Sequence, residues 1–288
     1  MTTITVSQLS PGDQWDQTLL DRLFANQLYD TGIEFRRVTG YPYSVDGCVL
    51  IIPGRYWHQR SNEISESLSR YQWVLLIRTG DEEDLFDTPY RIVHNNIRHW
   101  VQTPRTDRDY GDARLFGCGY PPHFNRLPDM ERSIDVFLSG QAKNDRRVQC
   151  FTALRYVKGD KMVQETPGFT KGMPPADYVE HMAACKVAPC PAGPYTPDTF
   201  RLYEALEAHC VPIADDITPH YDSAGYWEKV LPGAPFPILT DYGSLRGYIQ
   251  EALDGWPANA NRIAAWWMRY KRQLGVWLRE DLEALGAL

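Results

Sequence analysis

The chain has 288 residues, a formal net charge of −7 and 43% hydrophobic residues. This apolar content excludes an intrinsically disordered chain, and the length exceeds the usual size of one domain, about 100–200 residues, so we expect two domains. The negative charge disfavours unspecific, charge-driven binding to nucleic acid, although a local basic groove stays compatible with it.

The sequence also bounds the cellular setting. It shows no N-terminal apolar segment of signal-peptide length, and apolar runs such as Cys48–Ile52 have only the length of a strand. We therefore expect no membrane span and a cytoplasmic location, in the host cytoplasm if the protein is viral. The six cysteines are scattered without a C-x-x-C pair, so we expect buried free thiols and neither a metal site nor a disulfide framework.

The first half of the chain alternates helical and strand patterns. Apolar residues at Trp15, Leu19, Leu23 and Leu28 predict an amphipathic helix over 14–29. Strands are predicted at 34–38, 48–52, 73–77, 91–94 and 99–102, and a further helix at 62–71. Continuously apolar strands that alternate with helices predict an α/β fold with a mostly parallel sheet.

The pattern restarts in the second half. Asp135–Gly140 is a strand that ends in a small-residue turn, and a helix follows at 144–157. Further strands are predicted at 161–165, 187–190 and 211–214, helices at 176–185, 196–209 and 243–253, and one long or two consecutive helices at 259–285. We predict domains at residues 1–131 and 132–258, with helices at 259–288 that cross back to the N-terminal domain.

A Gly/Pro-rich loop precedes the predicted helix at 196–209. Thr196 is a good N-cap, Pro197 fits the first helical position, and Asp198 suits the positive first turn. Such a loop directs backbone N–H groups and a helix dipole at the space in front of it, an arrangement that binds phosphate.

The run from Pro197 to Ile213, with its Thr-Phe-Arg-Leu-Tyr-Glu-Ala segment before Cys-Val-Pro-Ile, resembles the hallmark of exostosin-like glycosyltransferases. Asp135–Gly140 with the two arginines that follow, and Lys186–Gly193, resemble the same family. The resemblance covers about residues 133–215. It implies the GT-B fold, an α/β architecture of two Rossmann-like domains facing across a cleft, with the nucleotide-sugar held mainly by the C-terminal domain.

The resemblance also implies roles for residues of the C-terminal domain. Arg146 or Arg147, of which one faces the cleft, meets the diphosphate of the donor as a bidentate guanidinium. Glu204 binds the ribose and shares a helix face with Arg201, although an exposed helical ion pair is the alternative. The predicted donor-binding residues are Gly140, Arg146, Arg147, Lys171, Gly193, Thr196, Asp198, Thr199, Arg201 and Glu204. For Lys171, a plain surface turn is an equal alternative.

His209 departs from the family pattern, which has glycine at this position. It is either a helix-end imidazole that interacts with the helix dipole or a contact to the donor. The N-terminal domain is expected to bind the acceptor and to supply the catalytic base, and three alternatives for the base remain open. Asp81 begins an acidic run after the strand at 73–77, His94 ends the strand at 91–94, and His58 lies in the loop after the first buried strand.

The single Asp-x-Asp spacing, Asp107–Asp109, lies in a polar loop and is interpreted as chance, so we expect metal-independent, inverting transfer without a cofactor besides the UDP-sugar substrate.

The acceptor is a glycan or a hydroxymethylated pyrimidine in phage-type DNA. Arginines interleaved with His99 and Trp100 would suit a phosphate backbone, and a solvated loop is the alternative. The enzyme is a hexosyl- or pentosyltransferase, with a non-catalytic nucleotide-sugar-binding scaffold or a nucleotide-sugar epimerase as alternatives.

Overall fold

The computed structural model describes residues 2–10, 14–43, 45–80, 94–168, 171–217 and 224–288. The chain divides into two compact units, each built on one parallel β-sheet. Unit 1 comprises residues 1–118 and 269–288, and unit 2 comprises residues 119–268.

Unit 1 contains a six-stranded sheet. Its strands are β1 (Thr3–Gln8), β2 (Glu34–Thr39), β3 (Gly47–Pro53), β4 (Trp73–Thr79), β5 (Ile97–Gln102) and β6 (Arg114–Phe116), and its helices include α1 (Gln14–Phe24) and α2 (Gly54–Leu68). The strand order is β2-β1-β3-β4-β5-β6, with every pairing parallel. β3 and β4 are buried along almost their whole length, as their continuous apolar runs predict.

Several elements of unit 1 differ from the sequence prediction, and the strand predicted at 91–94 lies outside the described residues except for His94. β1 was not predicted, because Thr3, Thr5 and Ser7 interrupt its apolar residues, yet Thr5 and Ser7 are buried. The Ser7 hydroxyl donates a hydrogen bond to the Gly40 carbonyl, which satisfies the buried polar group. The predicted helix at 62–71 begins earlier, at Gly54, directly after β3.

Unit 2 contains a five-stranded sheet. Its strands are β7 (Ile134–Gly140), β8 (Lys161–Glu165), β9 (Cys185–Cys190), β10 (Val211–Asp215) and β11 (Ile238–Leu239), and its helices are α3 (Asp145–Leu154), α4 (Pro175–Ala183), α5 (Phe200–Glu207), α6 (Tyr226–Val230), α7 (Leu245–Asp254) and the start of α8 (Ala258–Ala284). The strand order is β11-β10-β9-β7-β8, again all parallel.

The two sheets share one topology. In each unit the second strand lies on one side of the first strand, and the third strand lies on the other side. The direction in which successive strands are added to the sheet therefore reverses between β1 and β3 in unit 1 and between β7 and β9 in unit 2. In open parallel sheets, ligands bind at the carboxyl ends of the strands at such a switch point.

α8 is one continuous helix of 27 residues. Its first part packs within unit 2, where the Trp267 indole donates to the Glu207 carboxylate at 2.7 Å. Its last part packs within unit 1, where Asp281 accepts hydrogen bonds from Trp100 at 2.7 Å and Arg114 at 2.8 Å. One helix therefore contributes to the core of each unit.

All six cysteines are buried and none forms a disulfide, as expected from the sequence. Across the described residues, no helix combines the length and the apolar character that a membrane span requires.

Candidate functional site

The candidate site lies at the switch point of unit 2, where β7 and β9 end. Gly193, in the loop after β9, sits against the backbone of Asp198, and a Cβ there would overlap the Asp198 carbonyl. The Asn144 side chain joins this loop to α3, since it donates to the Gly193 carbonyl at 3.1 Å and accepts the Arg147 N–H at 2.9 Å. Glycine at position 193 therefore lets this loop fold back against its own backbone at Asp198, and Asn144 ties the folded loop to α3.

Arg201, in the first turn of α5, reaches across the end of β7. Its Nη2 donates to the Ser139 carbonyl, and a Cβ at Gly140 would come within 2.5 Å of that Nη2. The Arg201 Nε is buried and has no hydrogen-bond partner among the described residues. Gly140 thus leaves the space in which a partly satisfied guanidinium lies on the sheet edge.

Glu204 lies one turn further along α5 and is 7% exposed. The hydroxyl of Tyr178, which is mostly buried, donates to its Oε2 at 2.7 Å. Burial raises the pKa of Glu204, while the charge of Arg201 and the Tyr178 hydrogen bond oppose the increase. Because the carboxylate is buried, Arg201 and Glu204 do not form the exposed helical ion pair that was the alternative interpretation.

The structure distinguishes the two neighbouring arginines of α3. Arg146 binds Asp215, the last residue of β10, through two hydrogen bonds at 2.6 and 2.9 Å. Asp215 is fully buried and also accepts the Tyr242 hydroxyl at 2.8 Å. Arg147 instead donates from Nε to the Ala192 carbonyl at 3.0 Å. Arg147 therefore contacts the loop after β9 directly, and Arg146 belongs to a largely buried ion pair at the end of β10.

Asp215 was not predicted as a site residue. Its position at the carboxyl end of a buried strand is the signal in the sequence, because polar side chains at this edge face the ligand-binding side of a parallel sheet. Its partner Arg146 is 69 positions away in the chain, which no local pattern shows.

Thr196, Asp198 and Thr199 are all buried and hold the loop before α5 in its conformation. Thr196 was predicted to be the N-cap, but α5 begins at Phe200 with Thr199 at the N-cap position. The reason is a tight turn, in which the Thr196 hydroxyl accepts the Asp198 N–H at 3.2 Å. The Asp198 carboxylate accepts the Tyr226 hydroxyl at 2.9 Å, so the loop is fixed from both sides.

Lys171 lies in an exposed turn beside the same edge. Its N–H donates to the Gly168 carbonyl at 3.2 Å, and Phe169 and Thr170 between them are outside the described residues. The loop is anchored to the end of β7, because the Thr166 N–H donates to the Gly140 carbonyl at 2.8 Å.

His209 lies at the opposite edge of the sheet, before β10. Its φ of 57° is left-handed, and the His209 and Cys210 N–H groups donate to the Leu206 and Ala205 carbonyls at 3.3 and 2.9 Å. This is a Schellman motif with histidine at the position that favours glycine. The exposed imidazole is a helix-end residue, remote from the carboxyl edge.

Of the three candidate bases, the structure describes the side chain of His94 alone. Asp81 lies outside the described residues, as does the His58 side chain, although His58 itself belongs to α2 and not to a loop as predicted. His94 precedes β5, at the amino edge of the sheet. Its Nε2 donates to the Tyr71 carbonyl at 2.9 Å and its Nδ1 accepts the Asn96 N–H at 3.1 Å, so both ring nitrogens of the neutral imidazole are used.

Both carboxylates of the Asp-x-Asp spacing accept hydrogen bonds from groups of their own loop. Asp107 accepts two hydrogen bonds from Arg105, at 2.9 and 2.7 Å, which lower its pKa, and Asp109 accepts the Gly111 N–H at 2.9 Å. Nowhere in the described chain do three or more His, Cys, Asp or Glu side chains form a cluster that would hold a metal.

The stretch of arginines and aromatic residues around His99 does not form an exposed track. Trp100 is buried, and burial lowers the pKa of His99 to about 4. Arg105 is paired with Asp107. The placement of His99 and Trp100 in β5, a strand paired on both sides, explains this stretch better than binding to a phosphate backbone.

Six of the residues that were predicted to bind the sugar donor thus lie around the switch point of unit 2. We call them the charged edge: Gly140, Arg147, Lys171, Gly193, Arg201 and Glu204. Two guanidinium groups and an exposed ammonium beside backbone loops fit an anionic ligand, because arginine binds phosphate oxygens through several hydrogen bonds at once.

The fold is an α/β architecture with two Rossmann-like sheets of the GT-B class, as predicted from the sequence. No family model matches the chain, and no curated protein matches it, so membership of the exostosin-like family is not confirmed. Solved structures of HepE from Anabaena do match: the complex with UDP with a TM-score of 0.54 and 12% identity, and the complex with UDP-glucose with 0.55 and 11%. Both alignments cover 100% of each chain. At this identity the likeness shows the fold.

Proposed function

We propose that the chain is a glycosyltransferase that moves a hexosyl or pentosyl group from a UDP-sugar to a hydroxyl acceptor. The likeness to HepE, whose structures contain UDP and UDP-glucose, supports this donor class. The observation that carries the proposal is the guanidinium of Arg201 beside Gly140, at the edge where parallel sheets bind ligands.

The charged edge suits the leaving group of such a reaction. As the bond from the sugar to the diphosphate breaks, negative charge develops on the departing UDP. In our proposal Arg201 and Arg147 stabilise that charge, with Lys171 as a further cation, so that no metal is needed. Glu204 accepts a hydrogen bond from a ribose hydroxyl. The Tyr178 hydroxyl donates to Glu204 Oε2 at 2.7 Å and fixes the orientation of the carboxylate.

The acceptor hydroxyl loses its proton as its oxygen forms the bond to the anomeric carbon. We propose direct displacement with inversion, with the base supplied by the N-terminal domain, where Asp81 and His58 are better candidates than His94. Both ring nitrogens of His94 are already hydrogen-bonded to the backbone, which leaves no free lone pair for a proton.

The proposal is tested by measuring UDP release from a panel of UDP-sugars with glycan and hydroxymethylated DNA acceptors, with and without EDTA. We expect release that depends on one donor, persists in EDTA and falls when Arg201 is replaced by glutamine. Activity that disappears with EDTA and returns with manganese would contradict the metal-independent site. UDP binding without turnover of any donor would favour a non-catalytic scaffold.

A further inference from the structure

Unit 1 contains a pocket of about 370 Å³ at its own switch point. It is lined by the carboxyl ends of the three strands that meet there and by α1: Val6, Gln8, Ser10, Gln17, Arg37, Val38, Thr39 and Ile51. We call it the neutral pocket. Its volume falls within the range of small-molecule sites, about 300–1,000 Å³. The location and the size together indicate a ligand site that is separate from the charged edge.

The lining of this pocket is polar but carries little net charge. Two amides, Gln8 and Gln17, and two hydroxyls, Ser10 and Thr39, stand beside an apolar surface formed by valine and isoleucine side chains. Among the described lining residues, Arg37 alone is charged, and its Nη1 contacts the Asp21 carboxylate at 2.5 Å. With Asp21 counted, the described side chains give the pocket no net positive charge.

Gln17 shows which ligand atoms the pocket needs. It lies in the first turn of α1, and its Nε2 is buried without a hydrogen-bond partner in the described chain. An unsatisfied amide donor is destabilising unless an acceptor reaches it. Since Gln17 also lines the pocket, an oxygen of a ligand bound there is the acceptor that this amide lacks.

We propose that the neutral pocket binds an uncharged carbohydrate, with Gln17 as a specificity-determining residue that donates to a sugar oxygen. Amides and hydroxyls match the hydroxyl groups of such a ligand, and the valine and isoleucine surface matches its C–H face. This inference rests on the proposed function, in which the carbohydrate is the glycosyl acceptor. It favours a glycan over hydroxymethylated DNA, whose phosphates require free cations.

Saturation-transfer NMR on the whole protein with saturating UDP tests this inference, because the nucleotide then occupies the donor site. The probes are a panel of neutral methyl hexosides and pentosides with short glucans, beside glucose 6-phosphate and a hydroxymethylated DNA duplex. We expect signals from at least one neutral glycoside and none from the anionic probes. The variant Gln17→Leu should weaken that binding at least about tenfold while UDP affinity and the melting temperature stay at or above wild type.

The exposed Gln27, in the loop after α1, provides the matched control, and Gln27→Leu should change nothing. The inference is overturned if no neutral glycoside binds, if binding is unchanged in Gln17→Leu, or if the DNA duplex binds in the pocket instead. Failure of UDP itself to bind would count against the proposed function, which separates the two outcomes.

Discussion

The two sheets follow the same strand order, but their switch points carry different side chains. In unit 2, the Arg201 guanidinium lies at the end of β7 one turn from the buried Glu204 carboxylate, and Gly140 leaves the space for it. In unit 1, amides and hydroxyls line an open pocket between β1 and β3, and its one arginine is paired with Asp21. One topology therefore supports two kinds of site, and the side chains at the strand ends decide the charge of the ligand.

The comparison also distinguishes an arginine that is neutralised by a buried carboxylate from one that we propose to bind the ligand. Arg146 lies close to the charged edge, yet its guanidinium is bound by Asp215 at 2.6 and 2.9 Å. Arg201 has no such carboxylate contact in the described chain: its nearest hydrogen-bond acceptor is a carbonyl. Substitutions at these residues are expected to affect different properties.

The largest effect is expected for Asp215→Ala. The variant leaves Arg146, whose side chain is 11% exposed, without its buried partner, which costs about 3–5 kcal/mol of unfolding free energy. The control Asp107→Ala removes an exposed pair with Arg105 and costs about 0.2–1 kcal/mol. Urea denaturation of both variants measures the difference, and equal losses would show that the buried Arg146–Asp215 pair contributes no more to stability than the more exposed pair.

Gly140→Ala should displace the Arg201 guanidinium, because the new Cβ would lie 2.5 Å from its Nη2. We expect UDP affinity to fall at least about tenfold, or about 1.4 kcal/mol, with a small change in melting temperature. Gly247→Ala is the control, since a Cβ at this helical position meets nothing within 4 Å. Calorimetric titration with UDP measures both, and an unchanged affinity in Gly140→Ala would remove Arg201 from the donor site.

His209→Gly should stabilise the protein by about 1 kcal/mol without changing UDP affinity. Its left-handed φ of 57° is strained for a residue with a side chain and natural for glycine. Thermal denaturation measures the gain. A loss of UDP affinity in this variant would restore His209 as a donor contact.

The pKa of Glu204 predicts a smaller, pH-dependent effect. Burial raises this pKa above its ordinary value of 4.5, so the folded protein binds the proton more tightly than the unfolded chain does. Stability contributed by the protonated carboxyl is therefore present at acidic pH and is lost as pH rises through the raised pKa. The unfolding free energy of Glu204→Gln, followed from pH 4 upward, should lack this decline, and parallel curves for both proteins would contradict it.

The sequence predicted the strands that bury continuous apolar runs, β3 and β4, because burial on both faces leaves a local signal. It missed β1, whose threonines and serine conceal a central strand. It placed the proposed donor-binding residues in what the structure shows to be unit 2, and it did not distinguish the surroundings of Arg146 from those of Arg147. That choice depends on Asp215, which only the fold brings to α3. The neutral pocket was missed for the same reason, since its residues come from four separate elements.

A crystal structure of the protein with UDP tests the central claim most directly, because it shows which of the two switch points holds the diphosphate. The account predicts phosphate oxygens within hydrogen-bonding distance of the Arg201 and Arg147 guanidinium groups, next to Gly140 and Gly193, with the neutral pocket empty of nucleotide. A diphosphate bound in the neutral pocket, or bound in unit 2 without contact to Arg201, would contradict it.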